Sequence, residues 1–576
     1  MADEVQSSPH DRPHDQDGSD QGKRSTDHGE SSIETTDTKI PPDRSRAQTI
    51  ILMLALCMAV FLAALDAVII TTALPTIAQE VGASDSGFAW IGAAYLLANA
   101  ASVMFWGKVS DVFGRKPILV ITNVVFMAGS LISALARTLT MLVAGRVVQG
   151  LGGGGLMALV NITIGDLFSP RERGMYFGMV GAVWGLASGI GPLIGGGLTE
   201  NVSWRWCFWI NLPISGVSLL ILVYSLRIHT PKTPLLKGLM AIDWLGTLTF
   251  TGATLMLLLG LQFGGLRNPW DSPTVICLIV FGCITYIVFT LVERFAKYPL
   301  MPGSLFHDTS VVFCYVANFC HGLGFAAIAF FLPLYFQTVL GASPIRSGVW
   351  LLATALPLAV CTIGVGVMIK KTGRYNEIIR VSTALTSIAF GLLVTLPPRR
   401  DWPRLVLFQI LGALGIAPNL QALLIALQAL VRPMDVAAAT ATFAFVRHVG
   451  LGVGVVAGQV IFQSVMGRHE SVLLDAGIPE DIAESFGSGS TIAAHEMMEG
   501  LSVEQREVAR AVVTDGISKL WIFFCVASGV GLVSTFFIRQ VELSRVHMET
   551  KTGLEAEEAR VVEDRRARES ERDGEV

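Results

Sequence analysis

Between Ile50 and Ile538 the chain returns repeatedly to apolar runs of about twenty residues, separated by short polar stretches. Wound as an α-helix, a run of that length spans the hydrocarbon core of a bilayer. The runs fall near 50–74, 88–107, 117–136, 139–161, 175–198, 206–226, 244–264, 273–292, 311–336, 348–369, 378–396, 404–428, 437–463 and 519–538, about fourteen in all. Lipid offers no partner to backbone N–H and C=O groups, so each segment must satisfy its own. The chain therefore reads as an all-α integral membrane protein. Its 15% charged residues fall well below the roughly 25% of soluble domains. The net charge of -4 is spread over loops and tails and offers no basic face to nucleic acid. The eight cysteines sit in or beside apolar runs without metal-ligand spacing and read as small buried hydrophobes. No metal or cofactor site is expected.

Lysine and arginine set the orientation. With the N-terminus inside, inner loops carry about twice as many of them as short outer loops. Both termini are thus expected in the cytoplasm. Residues 1–47 are polar, without the apolar stretch of a signal peptide, and are expected to be a disordered tail. The charge-dense end, 541–576, reads as a second cytoplasmic tail, either plain coil or a solvated helix. Residues 465–518 are expected to form a long outer loop whose segments "PEDIAESF" and "SVEQREVARAVVTDGISKL" lie as helices on the outer surface.

The loop after the second run, "GKVSDVFGRK" (Gly107–Lys116), returns after the tenth as "GVMIKKTGRY" (Gly366–Tyr375). Glycines recur at the first and eighth positions and arginine at the ninth. The glycine-rich fifth run, Gly185–Gly197, has a counterpart in the thirteenth, "GLGVGVVAG" (Gly450–Gly458). Two matches in the same order imply related six-helix lobes at 48–229 and 301–540, with 230–300 as two inserted helices.

Charges inside apolar runs are the candidate chemistry. Asp66 lies within "AVFLAALDAVIITTALP" (Ala59–Pro75), where a charge costs about 2.5–3.5 kcal/mol near the bilayer centre. Arg146 lies within "LVAGRVVQGLGGGGL" (Leu142–Leu156). Counted along their helices, Asp66 is about 13 Å and Arg146 about 9 Å from the same side. An ion pair at that depth offsets part of the burial cost, and a carboxylate so paired can hold or release a proton as the pairing changes. The plainer reading is a static pair that fixes helix packing. Gln149 shares a face with Arg146. Gly150, Gly152 and Gly155 fit G-x-G-x-x-G, but a dinucleotide fingerprint needs a preceding strand. Inside a span they read as close-packing positions.

The loop residues Gly107, Asp111, Gly114, Arg115 and Lys116 read as a latch between lobes. The glycines allow a tight turn, and Asp111 accepts from a cation or faces a helix N-terminus of the other lobe. Arg115 and Lys116 meet the anionic leaflet or a carboxylate such as Asp166. The plainer reading is a positive-inside loop with a capping Asp. In the fifth run Pro192 sits among Gly191, Gly195 and Gly196, which suits a dense, deformable seam. Candidate cavity residues are Gln149, Trp184, Asn318, His321 and Arg447, with Arg447 the strongest because an intramembrane arginine must face a cavity or a partner. Asn201 heads a glycosylation sequon in a short outer loop close to the bilayer.

Together these segments resemble the major facilitator superfamily, and within it the fourteen-span drug:proton antiporters, above all the fungal efflux pumps of toxins and other secondary metabolites. "GKVSDVFGRK" is similar to the superfamily's loop signature. "RVVQGLGGGG" resembles the fourth-helix motif, whose arginine is implicated in proton transfer, and "GIGPLIGG" the fifth-helix antiporter motif. "LDAVIITTALP", "WRWCFWINLPI" and "FLPLYFQTVLGASPIRSG" are similar to the first-helix motif, the sixth-helix entry and the ninth-to-tenth connection. The resemblance implies the major facilitator fold, two pseudo-symmetric six-helix lobes plus two inserted central helices. It also implies a central, largely apolar cavity and proton-coupled efflux of small, largely apolar organic compounds by alternating access. Asp66 and Arg146 would then carry the proton coupling. Ala187 stands where the fifth-helix motif often has glycine. "AVII" replaces the usual "TIVN" after Asp66, so the surroundings of Asp66 are expected to be apolar and its proton affinity to depend heavily on Arg146. Expected partners are a small-molecule substrate, protons and the bilayer. The chain is expected to act as a monomer in the plasma membrane, with the vacuolar membrane as the alternative. A siderophore or basic amino-acid transporter on the same plan, and a non-transporting sensor, are the rival readings. No HExxH or GxSxG lies in a plausible context, so an enzyme is not expected.

Overall fold

The computed structural model describes residues 45–81, 85–226, 228, 230–264, 268–480, 482, 501–546 and 552–563. The expected N-terminal tail lies outside the described residues up to 44, as do 483–500 of the expected outer loop and 564–576 of the far end. Among the described residues fourteen long helices follow the apolar runs. They are α1 (Arg46–Glu80), α2 (Asp85–Phe113), α3 (Arg115–Ala134), α4 (Leu139–Leu167), α5 (Pro170–Asn201), α6 (Asn211–Ser225, after a turn at Trp206–Trp209) and α7 (Trp244–Phe263). There follow α8 (Pro273–Phe295), α9 (Thr309–Ala326), α10 (Pro344–Thr372), α11 (Asn376–Leu393), α12 (Trp402–Asn419, resuming as Ala422–Leu430), α13 (Val436–Arg468) and α14 (Val503–Thr535). Thirteen are long and apolar enough to cross a membrane. The fourteenth, α11, has 18 residues with Glu377 and Arg380 near its start. All belong to one compact unit, Arg46–Val576.

Local chemistry explains the breaks. Thr138, Ser343 and Ser502 accept from the amides of Met141, Arg346 and Gln505 at the starts of α4, α10 and α14. Gly114 turns α2 into α3 at φ 91°, and Gly373 ends α10 at φ 72°. Both are left-handed, and both occupy the eighth position of the repeated loop, where a side chain would be strained. Pro333 lies where α9 continues as two wide turns, Ala327–Phe331 and Tyr335–Val339. Pro418 lies where α12 breaks at Leu420 and Gln421.

The expected outer loop 465–518 is shorter than its sequence implies. Helix α13 runs to Arg468, and α14 starts at Val503. Ala509, Val512, Val513 and Ile517 are buried, so 503–518 extends the last span instead of lying on the surface. The cause is length: 33 residues of helix rise about 50 Å, well beyond a hydrocarbon core of about 30 Å.

Helices α1–α6 pack on one another, and so do α9–α14, in pairings that recur eight helices on: α1 with α5 and α9 with α13, α2 with α4 and α10 with α12, α3 with α4 and α11 with α12. The principal contacts between the groups are α5 on α10 and α2 on α13, which exchange under the same shift. Backbones touch along the first seam: a Cβ on Gly178 would lie 2.7 Å from Thr362 O. Leu56, Leu159 and Phe177 of the first group share one apolar core with Ile369, Leu424 and Phe443 of the second. The pair α7 and α8 packs beside α2, and Ile284, Ile287 and Leu291 stand exposed on α8, as lipid-facing side chains do. We call the end of the bundle that carries residues 107–116, 370–374, 539–546 and 552–563 the tail face.

Candidate functional site

The first site grows from the charge in α1. Asp66 has no exposed surface, and Arg146 of α4 is 1% exposed. The carboxylate Oδ2 pairs with Arg146 Nη1. Its Oδ1 accepts from Gln149 Nε2 at 2.6 Å and from Asn211 Nδ2 at 3.1 Å. Ser130 of α3 accepts from both amides. The guanidinium is held on its other sides: Nε donates to Ile91 O at 3.2 Å, and Cζ stands 4.5 Å from the centre of the Tyr95 ring. Tyr95 itself donates to Ala63 O of α1. Five helices thus enclose one ion pair with neutral donors, in a medium where an unpaired charge would be costly.

This geometry changes two expectations. Gln149, expected to line a cavity, is fully buried and bridges Asp66 and Arg146. The apolar surroundings expected from "AVII" hold along α1, but Gln149 and Asn211 reach the carboxylate from α4 and α6. Asn211, Ser130 and Tyr95 were not candidates. The available signal was Asn211, a lone amide within "WRWCFWINLPI".

The glycines of α4 explain how the shell closes. A Cβ on Gly152 or Gly150 would run into the backbone of Phe126 in α3 or Tyr95 in α2. Both helices therefore lie against α4 and present Ser130 and Tyr95 to the pair.

The tail face holds the second site. Arg115, 1% exposed, pairs with Asp111 at 2.6 Å and with Asp166 at 2.7 Å, and donates to Ser110. Of the partners open to Asp111, the structure selects the cation in its own loop. Lys116 donates to Val223 O. Gly107 meets Ala441 of α13, where an added Cβ would lie 2.9 Å away. Hydrogen bonds between the helix groups come from other residues. Arg171 donates to the final carbonyls of α10, Lys370 O and Lys371 O, at 2.9 and 2.6 Å. Arg173 donates to Gln428 Oε1 at 3.3 Å, and Gln428 to Thr440.

A strap completes the tail face. The far end forms a helix over 554–563 that is docked, not solvated. Gly553 N donates to Asp111 O at 2.8 Å. Glu557 pairs with Lys108 at 2.7 Å, and Arg560 with Asp435 at the start of α13 at 3.3 Å. All four side chains are buried. Burial pushes the Glu557 carboxyl up, but Lys108 and Arg560 outweigh it and hold it below its ordinary value.

The α5 residues Gly191, Pro192, Gly195 and Gly196 lie between α1 and α10. Pro192 O, with Gly196 N–H as its nearest helical donor, accepts from Thr72 Oγ1 at 3.2 Å. Gly195 packs on Ile69 O, and Gly196 faces Ile345. Of the remaining cavity candidates, Trp184 meets Phe325 of α9 edge-on at 5.1 Å. Asn318 is fully buried and does not line a cavity. It donates to Phe443 O and accepts from Arg447 Nε. His321 is 8% exposed and Arg447 half-buried. Asn201 is the last residue of α5, with Nδ2 donating to Gly197 O.

A family model described as Major Facilitator Superfamily matches residues 56–302 and 314–478. The chain is 45% identical over 528 residues to the MFS-type transporter ppz2 of Metarhizium majus, covering 92% of this chain and 91% of that one. It is 43% identical to efflux pump dotC of Dothistroma septosporum, covering 88% and 87%. It is 34% identical to the acurin A biosynthesis cluster MFS-type transporter of Aspergillus aculeatus, covering 92% and 95%. Among solved structures it is similar to the human organic anion transporter MFSD10, with a TM-score of 0.54 at 15% identity over 85% of this chain and 99% of that one.

Proposed function

The chain belongs to the major facilitator superfamily of membrane transporters, and we propose that it is a proton-coupled exporter of small, largely apolar organic compounds, working by alternating access. Relatives named as an efflux pump and as the transporter of a biosynthesis cluster support export, and support metabolites as the cargo. The membrane we propose is the plasma membrane, with the tail face in the cytoplasm.

One observation carries the coupling: Asp66, wholly buried, closes on Arg146 within a shell of neutral donors. A proton on Asp66 cancels its charge and removes the attraction that holds Arg146 against α1. Helix α1 packs on α5, and α4 packs on α2. Those two helices make the principal contacts with the second group, so a change at the pair lies one helix away from both seams. In the export cycle the substrate enters from the tail face and leaves at the opposite face, where Asp66 takes up a proton. The protonated form returns and releases the proton at the tail face, and the pair reforms. The present arrangement, with Arg171, Arg173 and the strap engaged, is the one closed at the tail face.

Efflux of a panel of fluorescent apolar compounds from cells expressing the chain is expected to collapse in Asp66→Asn and in Arg146→Ala. Wild-type efflux by either variant, at equal surface amounts, removes the coupling role.

A further inference from the structure

Arg447 differs from the other guanidiniums inside the bundle in what compensates it. Arg146 meets Asp66, and Arg115 meets Asp111 and Asp166. Arg173 has no ion pair, but its Nε, Nη1 and Nη2 donate to Phe168 O, Gln428 Oε1 and Gly165 O. Arg447, among the described residues, pairs with no carboxylate. Its Nε donates to Asn318 Oδ1 at 3.1 Å and its Nη2 to Leu420 O at 3.2 Å, both neutral acceptors. A guanidinium within a span that meets no counter-ion keeps the desolvation cost of its charge. An anion arriving from outside the protein offsets that cost, and the planar fork of arginine fits an anionic oxygen pair better than lysine does.

A second group points to a ligand independently. His321 Nε2 lies 3.1 Å from Ile416 O. A carbonyl only accepts, so Nε2 carries the proton and Nδ1 is left with a lone pair. Nδ1 is buried and has no partner. His321 and Arg447 are bracketed by the same two helices. Asn318, which holds Arg447, and His321 are one turn apart on α9, and the two carbonyls are one turn apart on α12. The break in α12 supplies those carbonyls. Past Pro418 the amides of Leu420 and Gln421 bond to Ala417 O and Pro418 O, which releases Ile416 O from the helical ladder. Broken helices at mid-membrane are where transporters place their binding sites. The Phe443 ring lies 4.9 Å from Arg447 Cζ and adds an apolar wall.

We propose that Arg447 and His321 form an anion subsite of the transport cavity. The exported compounds then carry an ionised oxygen acid, a carboxylate or an acidic phenol, on a largely apolar body. A hydroxyl beside that group donates to His321 Nδ1. This rests on the exporter reading above and narrows its substrate class.

The test uses the full chain in lipid nanodiscs, with 2-naphthoate and its uncharged analogue 2-naphthamide as probes at neutral pH. The wild type is expected to bind the naphthoate at least about tenfold more tightly than the amide. In Arg447→Gln the ratio is expected to fall to within about twofold, and in Arg447→Lys to stay intermediate, because lysine keeps the charge and loses the fork. The ratio is the readout, because the amide oxygen also accepts from a guanidinium and its affinity shifts in the variants too. A wild-type ratio near one, or a wild-type ratio retained in Arg447→Gln, overturns the subsite. The wild-type ratio decides alone if the glutamine variant does not fold. Proton-driven efflux of both probes by the wild type in proteoliposomes, measured alongside, separates the two proposals. Efflux without anion preference removes the subsite and leaves the exporter. Anion preference with no efflux of either probe supports the subsite and removes the exporter.

Discussion

Asp66 and Arg146 each lean on different neighbours, so variants at the two positions are expected to differ. Arg146→Ala leaves a carboxylate buried among neutral donors, and breaking a buried pair from one side costs about 3–5 kcal/mol. Replacing both charges, with Asp66→Asn and Arg146→Gln together, leaves an uncharged amide cluster. Denaturant unfolding in detergent is expected to find the double variant more stable than Arg146→Ala alone. Losses that simply add would mean that the two residues do not act as a pair. The two charges were legible in the sequence because a carboxylate and a guanidinium stand out in apolar runs and counting residues gives their depth. Their shell was not. At about 100° per residue, Ile69 and Ile70 of "AVII" share a face with Asp66 while Ala67 and Val68 do not, so the segment supplies only apolar neighbours along α1. What surrounds the carboxylate is set across the helices, by Gln149, Asn211 and Ser130.

At the scale of elements, the helix over 554–563 is the clearest departure from the sequence reading. Gly553, Glu557 and Arg560 recur at helical spacing and are buried, but in a segment dense in charge that stripe looks like a solvated face. Its docking rests on Glu557, whose carboxyl is held low by Lys108 and Arg560 against the opposing effect of burial. A carboxylate lowered on docking contributes fully above its free value, roughly 4.3. The contribution is lost as pH falls through the lower, docked value. Hydrogen exchange over 553–563, corrected for intrinsic rates, is therefore expected to show protection at neutral pH that fades in acid. In Glu557→Gln protection is expected to be weaker at neutral pH and to vary less with pH. Protection unchanged in that variant would mean that the Lys108 pair does not hold the strap. The start of α14 is obscured in the sequence for a related reason. The polar opening "VEQREVAR" lies on a helix that continues past the bilayer, so hydropathy alone places the start of the span too late. The break in α12 was foreshadowed, since Pro418 interrupts its run.

At the scale of the whole molecule, the duplication was the most legible feature. The two copies of the loop place Gly114 and Gly373 at equivalent turns, and the helix pairings repeat with the same offset. The conformational state was not legible, because it depends on which links between groups are made. Arg171 and Arg173 read only as inner-loop cations, yet they bond to Lys370, Lys371 and Gln428 across the seam. The central question is whether a proton at Asp66 drives the exchange between the proposed tail-closed form and its opposite. The direct measurement is transport in proteoliposomes, with and without an imposed pH gradient, of a compound that the wild-type protein pumps. In Asp66→Asn the gradient is expected to drive no accumulation, while downhill equilibration of the same compound continues. Gradient-driven accumulation by Asp66→Asn at the wild-type level would contradict the account.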